Sequence, residues 1–173
     1  MRRSAAAIVA IATLLGVVFC FPGPVAAGTV GGFASLAYDG TLTGSSDNYT
    51  TAHNAPINVS VEYTTTTLRV GQDAGFNIYR AILFFDTTTL PQGVSISAAH
   101  IALRLKANHA TTTFDLVAVS PGDMGSPLTA DDFEAITPHV QPLGSEVLGP
   151  DITIQLNAAG LGAIIHEGVT VIC

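Results

Sequence analysis

The side chains able to do chemistry are few and scattered. The five histidines, at 53, 100, 109, 139 and 166, include no two at a metal-ligand spacing on one strand or helix, so structural or solvated roles fit them better than a zinc site. No Gly-x-Ser-x-Gly elbow occurs, and no serine, histidine and acid stand out in a hydrolase order. Glycan cleavage needs two carboxylates flanking the scissile bond. Asp131, Asp132 and Glu134 come nearest to that, yet they fall in the first turn of an expected short helix, where solvated acids suit the positive end of the dipole. The chain therefore reads as non-catalytic. Arg80 lies inside an apolar run, and a charge inside a sheet ordinarily fixes a fold; presenting its guanidinium to an acidic sugar is the other role open to it. Sugars are commonly held on flat aromatic faces. In a chain without tryptophan the candidates are Tyr38, Tyr49 and Tyr63, although single tyrosines in β proteins are more often packing residues at a core's edge.

The elements that must position these groups are strands. Residues 78–86, with Ile78, Ile82, Leu83, Phe84 and Phe85, are apolar on both alternating faces, the signature of a strand wrapped by protein on either side. Burying Ile82, Leu83, Phe84 and Phe85 at about 1.5–3 kcal/mol each would make this the largest local contribution to the core. Arg80 and Asp86 share one face of it but stand too far apart to pair at about 3.3 Å per residue. Residues 59–63 and 66–70 alternate like a strand pair ended by Gly71, and residues 99–106 and 113–120 give two further strands. Residues 33–38 suggest an N-terminal strand or two followed by loops, in which the sequons at Asn48 and Asn58 would sit. Residues 129–136 form the expected short helix, capped by Thr129 and stopped by Pro138. A Pro/Gly-rich link follows. Residues 151–156 alternate again, Asn157 caps a short helix over 158–166, and residues 169–173 end the chain as a strand. Strands about ten residues apart, with only short helices in the connections, describe one antiparallel sandwich over residues 28–173. The apolar Val-Ile-Cys ending suggests that the sandwich continues beyond Cys173 or takes a partner strand from another chain.

Residues 1–27 have the form of a cleavable secretion signal: Arg2 and Arg3, an uncharged apolar run, then Val25-Ala26-Ala27. Pro22, Gly23 and Pro24 break the helix where an anchor would continue, so no membrane attachment is expected after cleavage before Gly28. Cys20 follows Phe19, where a lipoprotein would carry a small residue. Beyond the signal, four basic side chains (Arg69, Arg80, Arg104, Lys106) face thirteen acidic ones, a formal charge of −9. That excess disfavours nucleic acid and anionic membranes as partners. Cys173 is then the one remaining cysteine, so packing alone must hold the core.

Residues 79–105 read YRAILFFDTTTLPQGVSISAAHIALRL. This segment resembles the DNRLRE-type jelly-roll domains, related to a carbohydrate-binding-module family of exported proteins. Arg80, Phe85-Asp86, the turn Leu90-Pro91-Gln92-Gly93, Ile96-Ser97-Ala98 and Leu103-Arg104-Leu105 take the places of that family's segment. The fold signature thus rests on Arg80, Phe85, Asp86, Pro91 and Gly93. The resemblance implies an all-β, antiparallel jelly-roll-like β-sandwich acting as a secreted carbohydrate-binding or cell-surface module. Its partners would be extracellular polysaccharide or neighbouring surface-protein subunits. Sugar-binding jelly rolls often carry a structural calcium held by hard oxygen ligands. Asp39, Asp47 and Asp151, near loops, are the carboxylates that would supply it; no other cofactor is expected. The alternative is a structural subunit of a surface layer, filament or phage appendage, and a glycan-cleaving enzyme ranks behind both.

Overall fold

In chain order the described residues form β1 (Phe19–Cys20), β2 (Thr29–Val30), β3 (Gly40–Ser45), α1 (Tyr49–Asn54), β4 (Asn58–Tyr63), β5 (Gly71–Gln72) and β6 (Asn77–Asp86). There follow β7 (His100–Arg104), β8 (Asp115–Val119), a 3₁₀ helix (Ala130–Ile136), β9 (Pro142–Val147), β10 (Asp151–Gln155), α2 (Ala158–Gly162) and β11 (Val169–Ile172). The computed structural model describes residues 19–20, 29–30, 38–54, 56–63, 67–108, 115–120, 124, 127–136 and 141–173. The chain is all-β, its strands pair antiparallel, and its helices are short.

The doubly apolar run becomes β6, the longest strand, and it organises the molecule. Its sheet has the order β11-β6-β3-β4, with β5 also paired to β6. Because side chains alternate along a strand, one face of β6 sends Leu83 and Phe85 into a core shared with Ile101, Leu143, Ile152, Ile154 and Ile172. The other face sends Ile78, Ile82 and Phe84 into a second core with Leu42, Ala52, Leu128 and Phe133. β6 is thus covered on both sides. The first core is closed by the strand pairs β7–β10 and β8–β9, which makes a sandwich; the second is roofed by α1 and the 3₁₀ helix.

The second glycine of β3 shows how tightly that roof sits. A Cβ at Gly44 would lie 2.5 Å from the Phe133 ring and 2.9 Å from Pro56, distances no side chain tolerates, so only glycine lets Phe133 reach the sheet. The turn after β6 is held from both ends. Asp86 accepts hydrogen bonds from the Thr88 amide and hydroxyl, and Gly93 takes a φ of +77°, a backbone region that glycine enters without penalty. Pro91 and Leu90 offer their carbonyls to His166 and to the Glu167 amide. The signature residues thus dock this turn on the connection before β11, where Thr87 and Thr170 bond each other in the interior at 3.1 Å.

Several elements depart from the sequence reading. The first long strand is β3, in a stretch read as loop; residues 33–37 lie outside the described set. β4 pairs with β3, not with residues 66–70, of which the described ones form no strand, and pairing resumes at Gly71 instead of ending there. Asn48, placed in a surface loop, caps α1 by accepting the Thr51 amide at 3.0 Å. The Pro/Gly-rich link contains β9, whose Pro142 is its first residue, the strand position where a missing N–H is tolerated. The helix after Asn157 closes at Gly162 rather than residue 166. β10 and β11 stand as expected, with Ile152, Ile154 and Leu156 buried. The chain's last residue is not left without a partner, since Cys173 and Val119 exchange backbone hydrogen bonds of 3.1 and 2.8 Å, joining β11 to the end of β8. The two-residue pair β1–β2 spans the expected cleavage point after Ala27.

Candidate functional site

Arg80 is on the roofed face of β6. Its guanidinium donates to the carbonyl of Phe133 at 2.5 Å and to that of His53 at 2.7 Å, and lies 3.9 Å from the centroid of the Phe133 ring. His53 is in the last turn of α1, where carbonyls lack intrahelical partners and a cationic side chain is a favourable cap. One side chain thus ties α1 and the 3₁₀ helix to the sheet. Burial lowers its pKa to about 10, partly offset by Cys173 and Tyr49, so it is cationic at neutral pH. Of the two roles left open by the sequence, these contacts are those of a fold-fixing arginine.

The acids are spread over the molecule. Asp39, 3% exposed, accepts the Phe84 amide at 2.8 Å just before β3, where the β3–β6 ladder ends. Burial raises its pKa to about 6 against the opposing effect of that bond. Asp47 is exposed in the bend between β3 and α1, and Asp151 opens β10 opposite Arg104. The three are not brought together: among the described residues no three His, Cys, Asp or Glu side chains are placed to hold a metal ion. Asp131 and Glu134 are exposed, as expected of first-turn acids, but Asp132 is buried. Its carboxylate accepts the Thr129 amide and hydroxyl, so the capping runs from the third helical position back to the cap, the reciprocal half of a capping box. The sequence assigned that role to Thr129 and missed the carboxylate.

A more elaborate arrangement lies in the β5–β6 hairpin, which sequence reasoning passed over. Asp73 accepts the amides of Gly75 and Asn77 at 2.8 and 3.1 Å, the Asn77 side-chain amide at 3.0 and 2.9 Å, and the Tyr79 hydroxyl at 2.9 Å. Burial alone would raise this carboxyl, but the bonds from Asn77, Tyr79 and Gly75 outweigh it and hold the pKa below the ordinary value. Within this brace Phe76 takes a φ of +58° and is 41% exposed. The spelling Asp-Ala-Gly-Phe-Asn between two strands is readable turn chemistry. Nothing in it announces an outward-facing aromatic.

The exposed rings fall at two ends of the five-stranded sheet. Asn77, Ser45 and Asn58 form one transverse row, and Phe76 and Ile57, each the residue immediately before its strand, lie just beyond it, next to the bend that leads to Tyr49. Tyr63 pairs with Gly40 at the opposite end, where Tyr38 also lies two residues before that glycine. Tyr38, Tyr49 and Tyr63 are each nearly half exposed. The Tyr63 hydroxyl is used by the fold, donating to the Leu128 carbonyl, and Tyr49 rests against His53 with centroids 5.6 Å apart. The predicted tyrosines thus form no single platform. Of the histidines, His53 bonds Asn54 and His166 bonds Pro91; His100 lies in β7, and His109 and His139 lie outside the described residues.

No family model, no curated protein and no solved structure matches the chain.

Proposed function

We propose that the chain is a secreted, non-catalytic β-sandwich module that binds extracellular polysaccharide or attaches to a cell surface. The observation that carries this reading is the division of labour among its side chains. Four groups able to do chemistry, Arg80, Asp39, Asp132 and Asp73, are engaged in bonds to backbone or neighbouring side chains. At one end of the main sheet Tyr49, Ile57 and Phe76 offer apolar surface to solvent. Exposed apolar side chains of this kind suit binding, and the engagement of those four groups in the fold supports the non-catalytic reading. The resemblance of residues 79–105 to DNRLRE-type jelly-roll domains supports the same reading, as does the secretion signal read over residues 1–27.

Screening the mature protein on a glycan array tests it. Retention on at least one polysaccharide, without turnover, is the expected result; release of reducing ends would refute the non-catalytic assignment. The second reading, a structural subunit of a surface layer or appendage, draws on one observation. Among the described residues β4 is the outer member of its sheet, and an open edge is a site for strand pairing between copies. Absence of glycan binding together with elution as large ordered assemblies would favour it.

A further inference from the structure

We propose that Phe76 is the stacking residue of the polysaccharide site, receiving the apolar face of a neutral hexopyranose; this rests on the polysaccharide-binding reading above. A bulky side chain at a φ of +58° is strained, because its Cβ crowds the following carbonyl, and glycine would take the same backbone without that crowding. Strain kept at a position that glycine would relieve points to a use for the side chain. Glu167 has a similar φ of 53°, with its amide donating to the Leu90 carbonyl in the connection to β11; Phe76 differs in that the side chain held in this conformation is an exposed aromatic ring. The Phe76 amide makes only a local bond of 3.3 Å to the Asp73 carbonyl. The ring is not withdrawn into a core either, being 41% exposed.

The hairpin that carries the ring is braced. The Asp73 carboxylate gathers Gly75, Asn77 and Tyr79 and so fixes the hairpin that carries Phe76. Its exposed neighbours in the turn, Ala74 and Gly75, bring only a methyl group and a hydrogen. A rigid aromatic of this kind presents apolar area at little entropic cost, which suits the amphipathic face of a sugar ring. The ligand is neutral because Asp73 in the same hairpin, Asp47 in the bend after β3 and the mature charge of −9 all repel an anionic chain.

The test compares Phe76→Gly, Phe76→Tyr and the parent protein by thermal melting and by affinity electrophoresis in gels containing β-1,3-glucan, β-1,4-glucan, mannan or galactan, with polygalacturonate as the anionic control. The parent is expected to be retarded by at least one neutral polysaccharide and not by polygalacturonate. Phe76→Gly should melt about 2–4 °C higher as the strain is released, while its affinity falls about ten- to a hundredfold. Phe76→Tyr should bind like the parent. Unchanged binding by Phe76→Gly overturns the assignment, and so does a lower melting temperature, which would make the ring a packing residue. A parent protein that binds none of the neutral polysaccharides refutes the polysaccharide reading itself, and the role of Phe76 with it.

Discussion

Replacing Arg80 by methionine keeps the length and apolar stem of the side chain and removes its charge and donors. Two carbonyls, those of Phe133 and His53, then lose a charged donor, each such bond contributing about 1.5–3 kcal/mol, and the stacking over the Phe133 ring about 0.5–2 kcal/mol more. Against this stands the desolvation of the cation. Burial has drawn its pKa from 12.5 to about 10, and at about 1.4 kcal/mol per pKa unit that offsets roughly 3 kcal/mol. These terms leave a net destabilisation of about 0.5–5 kcal/mol, centred near 2–3 kcal/mol. In urea, with a slope of about 2 kcal/mol/M for a domain of this size, the central value lowers the unfolding midpoint by about 1–1.5 M. Arg80→Lys should lose more than half as much, because an ammonium cannot span both carbonyls as the planar fork does. If Arg80→Met unfolded within about 0.3 M of the parent while losing polysaccharide binding, the guanidinium would belong to the ligand and the clamp would be refuted.

Asp39→Asn should change the response to pH. The folded carboxyl has a pKa of about 6 against an ordinary 3.8, so the contribution of this group to the parent's stability is greatest below pH 4, declines as pH rises through 6 and is level above it. Asparagine keeps an oxygen for the Phe84 amide without a charge to bury. Its stability relative to the parent should rise by about 2–3 kcal/mol between pH 3.5 and 7 in urea titrations, and a pH-independent difference would refute the cause assigned to the shift. Gly44→Ala should cost about 2–4 kcal/mol, since Phe133 and Pro56 must both retreat from the new methyl; a chemical melt within 0.5 kcal/mol of the parent would show the roof to be loose. Asp132→Ala should cost about 1–2 kcal/mol through the lost Thr129 cap and leave glycan binding intact, whereas loss of binding at unchanged stability would place this acid in the site.

What could be read from the sequence follows the distance over which each interaction acts. β6, β7, β10 and β11 declare themselves through short-range alternation, and the Asn157 cap through a residue three positions from its partner. β3 escaped because Gly-Thr-Leu-Thr-Gly-Ser has only one large apolar side chain, Leu42. Its strand character comes from pairing with both β4 and β6, which local propensity does not encode. α1 escaped for a related reason: Tyr-Thr-Thr-Ala-His-Asn is a poor helix by propensity, and it is held by the Asn48 cap, the burial of Ala52 and the grip of Arg80 on His53.

The site residues obey the same logic in reverse. Arg80 was singled out as a charge in an apolar run, but its partners stand 27 and 53 positions away, so its two roles could be separated only by the fold. The tyrosines were chosen for residue type, and type does not say which sheet end a ring occupies or whether its hydroxyl is already engaged. Phe76 was not singled out, and the alternation of β6, extended backwards, would place it on the face of Ile78. The positive φ breaks that alternation just before the strand begins, turning outward a side chain that the pattern would bury. An aromatic released in this way is legible only where backbone strain can be seen, and the same strain makes Phe76→Gly the substitution that separates a gain in stability from a loss of binding.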